Sequence, residues 1–102
     1  MDELEGLAVQ LEALGHPLRL KLVGILKRDG PLYLSDLAKK AGISRALAKV
    51  HLIKLQKAGI VKSRIVVSQD VAKALRYYEL VEFSISVSPE EVVRLMEGRS
   101  NE

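Results

Sequence analysis

The chain has no cysteine and no tryptophan, one phenylalanine, three tyrosines and two histidines among its 102 residues. Without cysteine, disulfides, thiolate metal sites and thiol nucleophiles are excluded together. Zinc takes about four N, S or O ligands, and His16 and His51 lie in separate elements, so no metal and no cofactor is expected. Tyr33, Tyr77, Tyr78 and Phe83 are spread over unrelated elements and read as packing residues rather than the stacking platform of a single-strand binder. A glycine-rich phosphate loop, a Ser/His/Asp arrangement and a pocket-forming carboxylate pair are all missing, so catalysis is not expected. No apolar run approaches the ~18 residues that cross a bilayer. The start, MDELEGLAVQ, is acidic where a secretory signal is basic, which places the chain in the cytoplasm as an expectation.

What is present is 48% apolar and 28% charged residues, the balance of a folded domain, in a length that suits one domain over residues 1–102. The net charge of +3 hides an asymmetry. From Lys39 to Arg64, twenty-six residues hold eight cations (Lys39, Lys40, Arg45, Lys49, Lys54, Lys57, Lys62, Arg64) and no acid, leaving −5 for the rest (3 − 8). A basic middle between acidic ends is the electrostatic footprint of a polyanion binder.

Leu4, Leu7, Leu11 and Leu14 form the apolar seam of a first helix that Gly15 stops. A second helix starts at Pro17 and runs to Arg28 with Leu18, Leu22, Ile25 and Leu26 on one face, followed by the turn Asp29-Gly30-Pro31. After a short extended LYL, Ser35 is placed to cap a third helix, Asp36 to Ala41, closed by Gly42. Ser44 is placed to cap a fourth, running to Ala58 and closed by Gly59. Two capped helices separated only by GIS are the sequence form of a helix-turn-helix, over residues 35–58. Ile60–Val67 and Leu75–Val87 then read as two strands joined by SQDVAKA, a hairpin or wing over residues 60–87. Ser88-Pro89-Glu90-Glu91 predicts a last helix with a capping box, so that the terminal helices occupy 1–15 and 88–98. The fold class expected is mostly α with a β-hairpin wing, about five helices and two to three strands.

On the fourth helix Ala48, Leu52 and Leu55 share the inward stripe, and Ala46, Lys49, Val50, Ile53 and Lys57 project away from it. Lysines near phosphates supply affinity by releasing counterions, and small apolar groups touch thymine methyls in the major groove. A lysine-rich helix face is ordinarily just a solvated one. Solubility alone would tolerate Glu as readily as Lys, however, and the lack of any acid, with the helix-turn-helix spacing and the following hairpin, favours nucleic acid.

The segments ALGHPLRLKLVGIL, LSDLAKKAGIS, KVHLIKLQKAGIVKSR and RYYEL, in this order over residues 13–81, resemble the winged helix-turn-helix repressors of the ArsR type. The resemblance implies a homodimeric transcription regulator whose fourth helix enters the major groove of double-stranded DNA while the wing reaches the flanking backbone or minor groove. Its groove-facing places fall on Ser44, Arg45, Ala46, Lys49 and Val50. The first and last helices, through Leu4, Leu7, Leu11, Leu14, Val92, Val93 and Met96, become the expected dimer interface, since a twofold presents two reading helices to successive grooves. Phosphate contacts are expected from Lys54, Lys57, Lys62 and Arg64, and wing contacts from Lys73 and Arg76. His51 matches a position the family keeps for packing or a phosphate hydrogen bond, and His16 reads as a helix-start residue.

Two departures from the family pattern stand out. Lys49 replaces a serine common before the histidine, which implies more charge and less precise base reading. Tyr33, Leu34 and Ser35 stand where the family's metal-binding cysteine pair begins, and PEEVVRLMEG carries no histidine, so the metal-sensing output is not expected. Two other readings stay open: a winged-helix module for protein or RNA, and a repressor that answers a small molecule bound at the dimer interface. No residue names an effector.

Overall fold

Asp2 opens the first helix, α1 (Glu3–Leu14), by accepting a hydrogen bond from the Glu5 amide at 2.8 Å, while the Glu5 carboxylate accepts from the Asp2 amide at 3.1 Å. This reciprocal cap satisfies two free donors of the first turn. The computed structural model describes residues 2–68 and 73–98. α1 ends at Gly15, where a Cβ would lie 3.2 Å from the Leu11 carbonyl oxygen, so the tight exit favours a residue without one. His16 caps α2 (Pro17–Asp29), its Nδ1 accepting from the Leu18 amide at 3.0 Å, and Pro17 takes the first helical position, where its missing N–H costs nothing.

The short strand β1 (Leu32–Tyr33) leads directly into α3 (Leu34–Ala41). Ser35 was expected to cap that helix. Instead Tyr33 is the capping residue, with no side-chain hydrogen bond, and Ser35 falls inside the first turn. The cause is the pairing of Tyr33 with Tyr77 in the sheet, which holds Tyr33 extended immediately before the helix. Gly42 ends α3 at φ +75°, a left-handed conformation that glycine adopts without a Cβ penalty. Then α4 (Arg45–Lys57) begins after Ser44, whose Oγ accepts from the Leu47 amide at 3.1 Å.

Strands β2 (Val61–Ser68) and β3 (Lys73–Leu80) form the hairpin, and β1 adds to the other side of β3, giving the antiparallel order β1-β3-β2. The second strand was expected to continue to Val87 but stops at Leu80. β2 begins opposite that residue, at Val61, and β1 is only two residues long, so the chain beyond has no neighbouring strand to pair with. One bond, from the Val81 amide to the Ile60 carbonyl at 2.8 Å, closes the end. The alternation seen in the sequence persists without pairing: Val81, Phe83 and Ile85 are half-buried while Glu82, Ser84 and Ser86 are exposed. Gln69 to Ala72, in the loop that joins the strands, lie outside the described residues, and so does the Lys73 side chain.

Ser88 caps α5 (Pro89–Met96) by accepting from the Glu91 amide at 3.0 Å. The expected reciprocal bond from Glu91 is not made. Its carboxylate turns forward to the Arg94 guanidinium, a charge-assisted pairing stronger than a bond to a neutral amide.

Leu22, Leu37, Ala48, Leu52, Leu55 and Ile60 have no exposed surface and form the centre of the core, closed on the sheet side by Tyr78 and Val61. α1 and α5 pack on each other, and β2 and β3 pair along their whole described length. The radius of gyration, 16.4 Å, exceeds the ~13 Å of a compact chain this long, in keeping with an elongated shape of 55 × 25 × 21 Å. Tyr78 is thus a core residue, Phe83 packs at the core edge, and Tyr33 and Tyr77 lie against each other at 5.0 Å on the outer side of the sheet.

Candidate nucleic-acid interface

Helix α4 separates its residues by the 100° step. Ala48, His51, Leu52 and Leu55 are buried, and Arg45, Ala46, Lys49, Val50, Ile53, Lys54 and Lys57 are exposed. Val50 and Ile53, 55% and 42% exposed, leave the outward face part apolar, and Leu47 at 40% adds to one flank, a residue the sequence analysis passed over. The Gly42-Ile43-Ser44 turn is fixed by bonds from the Gly42 amide to the Lys39 carbonyl (3.1 Å) and from the Ile43 amide to the Ala38 carbonyl (3.1 Å). The turn closes α3 and brings α4 to pack against it, while the outer face of α4 stays open.

The eight cations do not form one patch. Lys40 is held 3.4 Å from Asp29, which also takes two bonds from Arg28, both at 2.8 Å. The Arg28 hydrogen bonds, reinforced by its charge and by Lys40, hold Asp29 down to about 2. Lys57 is three turns along α4 from Ala46 and lines a groove of about 530 Å³ with Glu3 and Leu7 of α1, Glu91 of α5, and Ser84. Among the described residues, Lys40 is the one of the eight that makes an ion pair, and Lys39, Arg45, Lys49, Lys54, Lys57, Lys62 and Arg64 make none.

The pleat then divides the wing. Residues directly opposite share a face, and the register pairs Val61 with Leu80, Ser63 with Tyr78 and Ile65 with Arg76 on the side of the core and α4. Lys62 and Glu79, and Arg64 and Tyr77, occupy the other side, where the Arg64 guanidinium lies 4.8 Å from the centre of the Tyr77 ring. On the side facing α4, Arg76 Nη1 donates to Ser63 Oγ at 3.3 Å, and Ser63 in turn donates to Gln56 Oε1 at 3.4 Å. A three-residue chain thus sets the hairpin against α4 and ties Arg76 of the wing, through Ser63, to Gln56 of the reading helix. Gln56 and Ser63 were not anticipated, although period-2 alternation places Ser63 on the side opposite Lys62 and Arg64.

His16 and His51, distant in sequence, are brought together with ring centres 4.5 Å apart. His51 is 7% exposed and its Nδ1 receives a hydrogen bond from Arg19 Nη1 at 3.3 Å. Burial, and then the neighbouring His16, Arg19 and Lys54, push the His51 imidazolium below its ordinary range. With a guanidinium against one ring and both Nδ1 atoms engaged, the pair is a poor metal ligand set. Among the described residues no three His, Cys, Asp or Glu side chains group as metal ligands, and no helix is long and apolar enough to cross a membrane.

On the terminal helices the leucine seam splits. Leu14 packs on the domain's own core and Leu7 is half-buried in the Lys57 groove, whereas Leu4 and Leu11 are 37% and 41% exposed. Val93 and Met96 are exposed on α5, and Val92 is half-buried.

Comparison with known proteins matches residues 14–64, half of the chain, to a family described as a helix-turn-helix domain. A protein of Methanocaldococcus jannaschii named as an uncharacterized HTH-type transcriptional regulator is 36% identical over 87 residues, which cover 85% of this chain and 88% of that one. Among solved structures, the transcriptional repressor BigR from Xylella fastidiosa is 32% identical with a TM-score of 0.61, covering 74% of this chain and 69% of that one. A homodimeric winged helix-turn-helix DNA-binding domain from Mycobacterium bovis, a possible ArsR-family regulator, superposes with a TM-score of 0.65 at 24% identity, over 90% of this chain and 72% of that one. At that identity the likeness is one of fold.

Proposed function

This chain belongs to the helix-turn-helix domain family of transcription regulators, with the winged fold of the ArsR type, and from that premise we propose that it binds double-stranded DNA as a homodimer through α4. The observation that carries the reading is the open outer face of α4. Over it, cations and small apolar groups alternate without an acid, flanked on the hairpin by Arg76. Ser44 and the start of α4 meet a backbone phosphate, Arg45, Ala46, Lys49 and Val50 face base edges, and Lys54 and Arg76 reach phosphates. Lys62 and Arg64, on the outer side of the sheet, contribute to the attractive field rather than to the groove. Lys49 in a reading position gives affinity with modest sequence discrimination.

Dimerisation joins α1 and α5 of two copies through Leu4, Leu11, Val93 and Met96, which are exposed in the single chain. The acidic chain ends then gather on the side away from DNA. The role is binding in the cytoplasm, without a catalytic step and without a metal. The ~530 Å³ groove supports a second reading as to regulation: a small molecule seated beside Lys57, on the last turn of α4, would shift DNA affinity.

Fluorescence anisotropy with a random 20-base-pair duplex at 50 and 200 mM salt tests the main reading. Binding that weakens steeply with salt, and weakens further in Arg45→Ala and Lys49→Ala, is expected. A flat salt response removes the argument.

A further inference from the structure

Arg19 is 8% exposed, yet no described carboxylate lies within 4 Å of it or of either imidazole. Its charge is served by three neutral acceptors in two other helices. Nε donates to the Ala13 carbonyl at 2.6 Å and Nη2 to the Glu12 carbonyl at 3.4 Å, both in the last turn of α1, while Nη1 donates to His51 Nδ1 in α4. A guanidinium has five donors, no acceptor, and cannot lose its proton in a protein. His51 must therefore present a lone pair at Nδ1 and carry its proton on Nε2. Protonating His51 places an N–H where Arg19 needs an acceptor and sets two cations 3.3 Å apart.

We propose that Arg19 is a positioning residue for DNA binding: through neutral His51 it ties the reading helix α4 to the end of α1, and protonation of His51 releases the tie and weakens binding. The role rests on the DNA-binding reading above. The groups that face His51 all work in one direction: Arg19 on α2, His16 at the α1–α2 turn, whose ring packs at 4.5 Å, and Lys54 three residues on in α4. α1 also carries the exposed leucines of the proposed dimer face, so the Arg19 bonds lie where the dimer helix meets the reading helix.

The sign distinguishes this device from simple charge. Added protons near phosphates ordinarily tighten DNA binding. Here acid weakens it. For one proton per protomer and an ordinary imidazole value near 6.5, the loss between pH 7.5 and 5.5 reaches at most about tenfold per protomer.

The test uses the full chain and the labelled random duplex at both pH values and constant ionic strength, with circular dichroism to verify folding at each. Long-range proton–nitrogen spectra of the imidazoles are recorded in parallel, and the chain has only two to assign. Expected are weaker binding at pH 5.5, an Nε2–H tautomer for His51 with a midpoint below 6.5, and a rise of that midpoint in Arg19→Gln. His16→Asn should keep the pH slope, and His51→Gln, which cannot titrate, should lose it whatever its affinity at pH 7.5. Affinity that is unchanged or tighter at pH 5.5, a proton on Nδ1 of His51 at pH 7.5, or a wild-type slope in His51→Gln overturns the proposal. Absence of duplex binding at both pH values instead removes the DNA-binding reading, and the Arg19 role with it, which differs from binding that ignores pH.

Discussion

Lys54 and Lys57 are one helical turn apart, and the sequence treats them alike, but the structure gives them different surroundings. Lys54 is exposed beside the reading face, whereas Lys57 lines the groove between α1 and α5 with Glu3 and Glu91. Arg45 and Lys49 in the groove and Lys54 and Arg76 on the backbone together neutralise about eight phosphate charges in the dimer, and at about −0.9 per phosphate neutralised the log–log salt slope is near −7. Lys54→Ala removes two contacts per dimer and brings the slope to about −5.4. Over the fourfold range from 50 to 200 mM, the native chain loses affinity by roughly 20,000-fold and the variant by roughly 2,000-fold. Lys57→Ala leaves the slope unchanged, because Lys57 lines the groove with Glu3 and Glu91, on the last turn of α4 away from the reading face. Anisotropy titrations at four salt concentrations measure both slopes within one series. Equal slopes for the two variants, or a drop in slope for Lys57→Ala alone, would refute the placement of the interface on the N-terminal and middle turns of α4.

Leu52→Ala, at a position with no exposed surface, lowers stability by about 2–5 kcal/mol in denaturant unfolding, whereas Val50→Ala, on the exposed face, changes it by less than about 0.5 kcal/mol. Met96→Glu places a charge on the proposed α1–α5 dimer face, and sedimentation should show a folded monomer where the native chain sediments as a dimer. Because His51 titrates below its ordinary value in the fold, the unfolded chain takes up the proton first. Its contribution to stability is full above about pH 6.5 and declines as pH falls towards the folded value, and His51→Gln should flatten that part of the stability–pH curve.

The helices were legible where local chemistry decides them. Ser44 has no competing partner and caps α4 as its position implies, and Gly42 takes the left-handed turn that a short helix-turn-helix connection requires. Ser35 misled because the decisive contact is long-range: pairing of Tyr33 with Tyr77, forty-four residues away, fixes where α3 begins. The same holds for β3. Alternation from Val81 to Val87 reports which side chains turn inward, which remains true to Ile85, whereas the paired strand before it turns Tyr78 and Leu80 to the core; a strand also needs a neighbour, and nothing within the segment itself says that β2 begins opposite Leu80.

The functional face divides along the same line. The 100° step alone placed Ala46, Lys49, Val50 and Ile53 outward and Ala48, Leu52 and Leu55 inward, because helix geometry is local, while Arg45 came from the resemblance. Which cations stand beside that face depends instead on the hairpin register and on where α1 and α5 pack, and these separate Lys57 from Lys54 and place Lys62 and Arg64 on the opposite side of the sheet from Arg76. A run of charge in sequence therefore measures the potential around the domain more reliably than it identifies contacts. Arg19 shows the converse. Lying outside the basic run, on a helix that carries no groove residue, it is the buried cation bonded directly to the reading helix, so the orientation of α4 depends on a charge that never meets DNA.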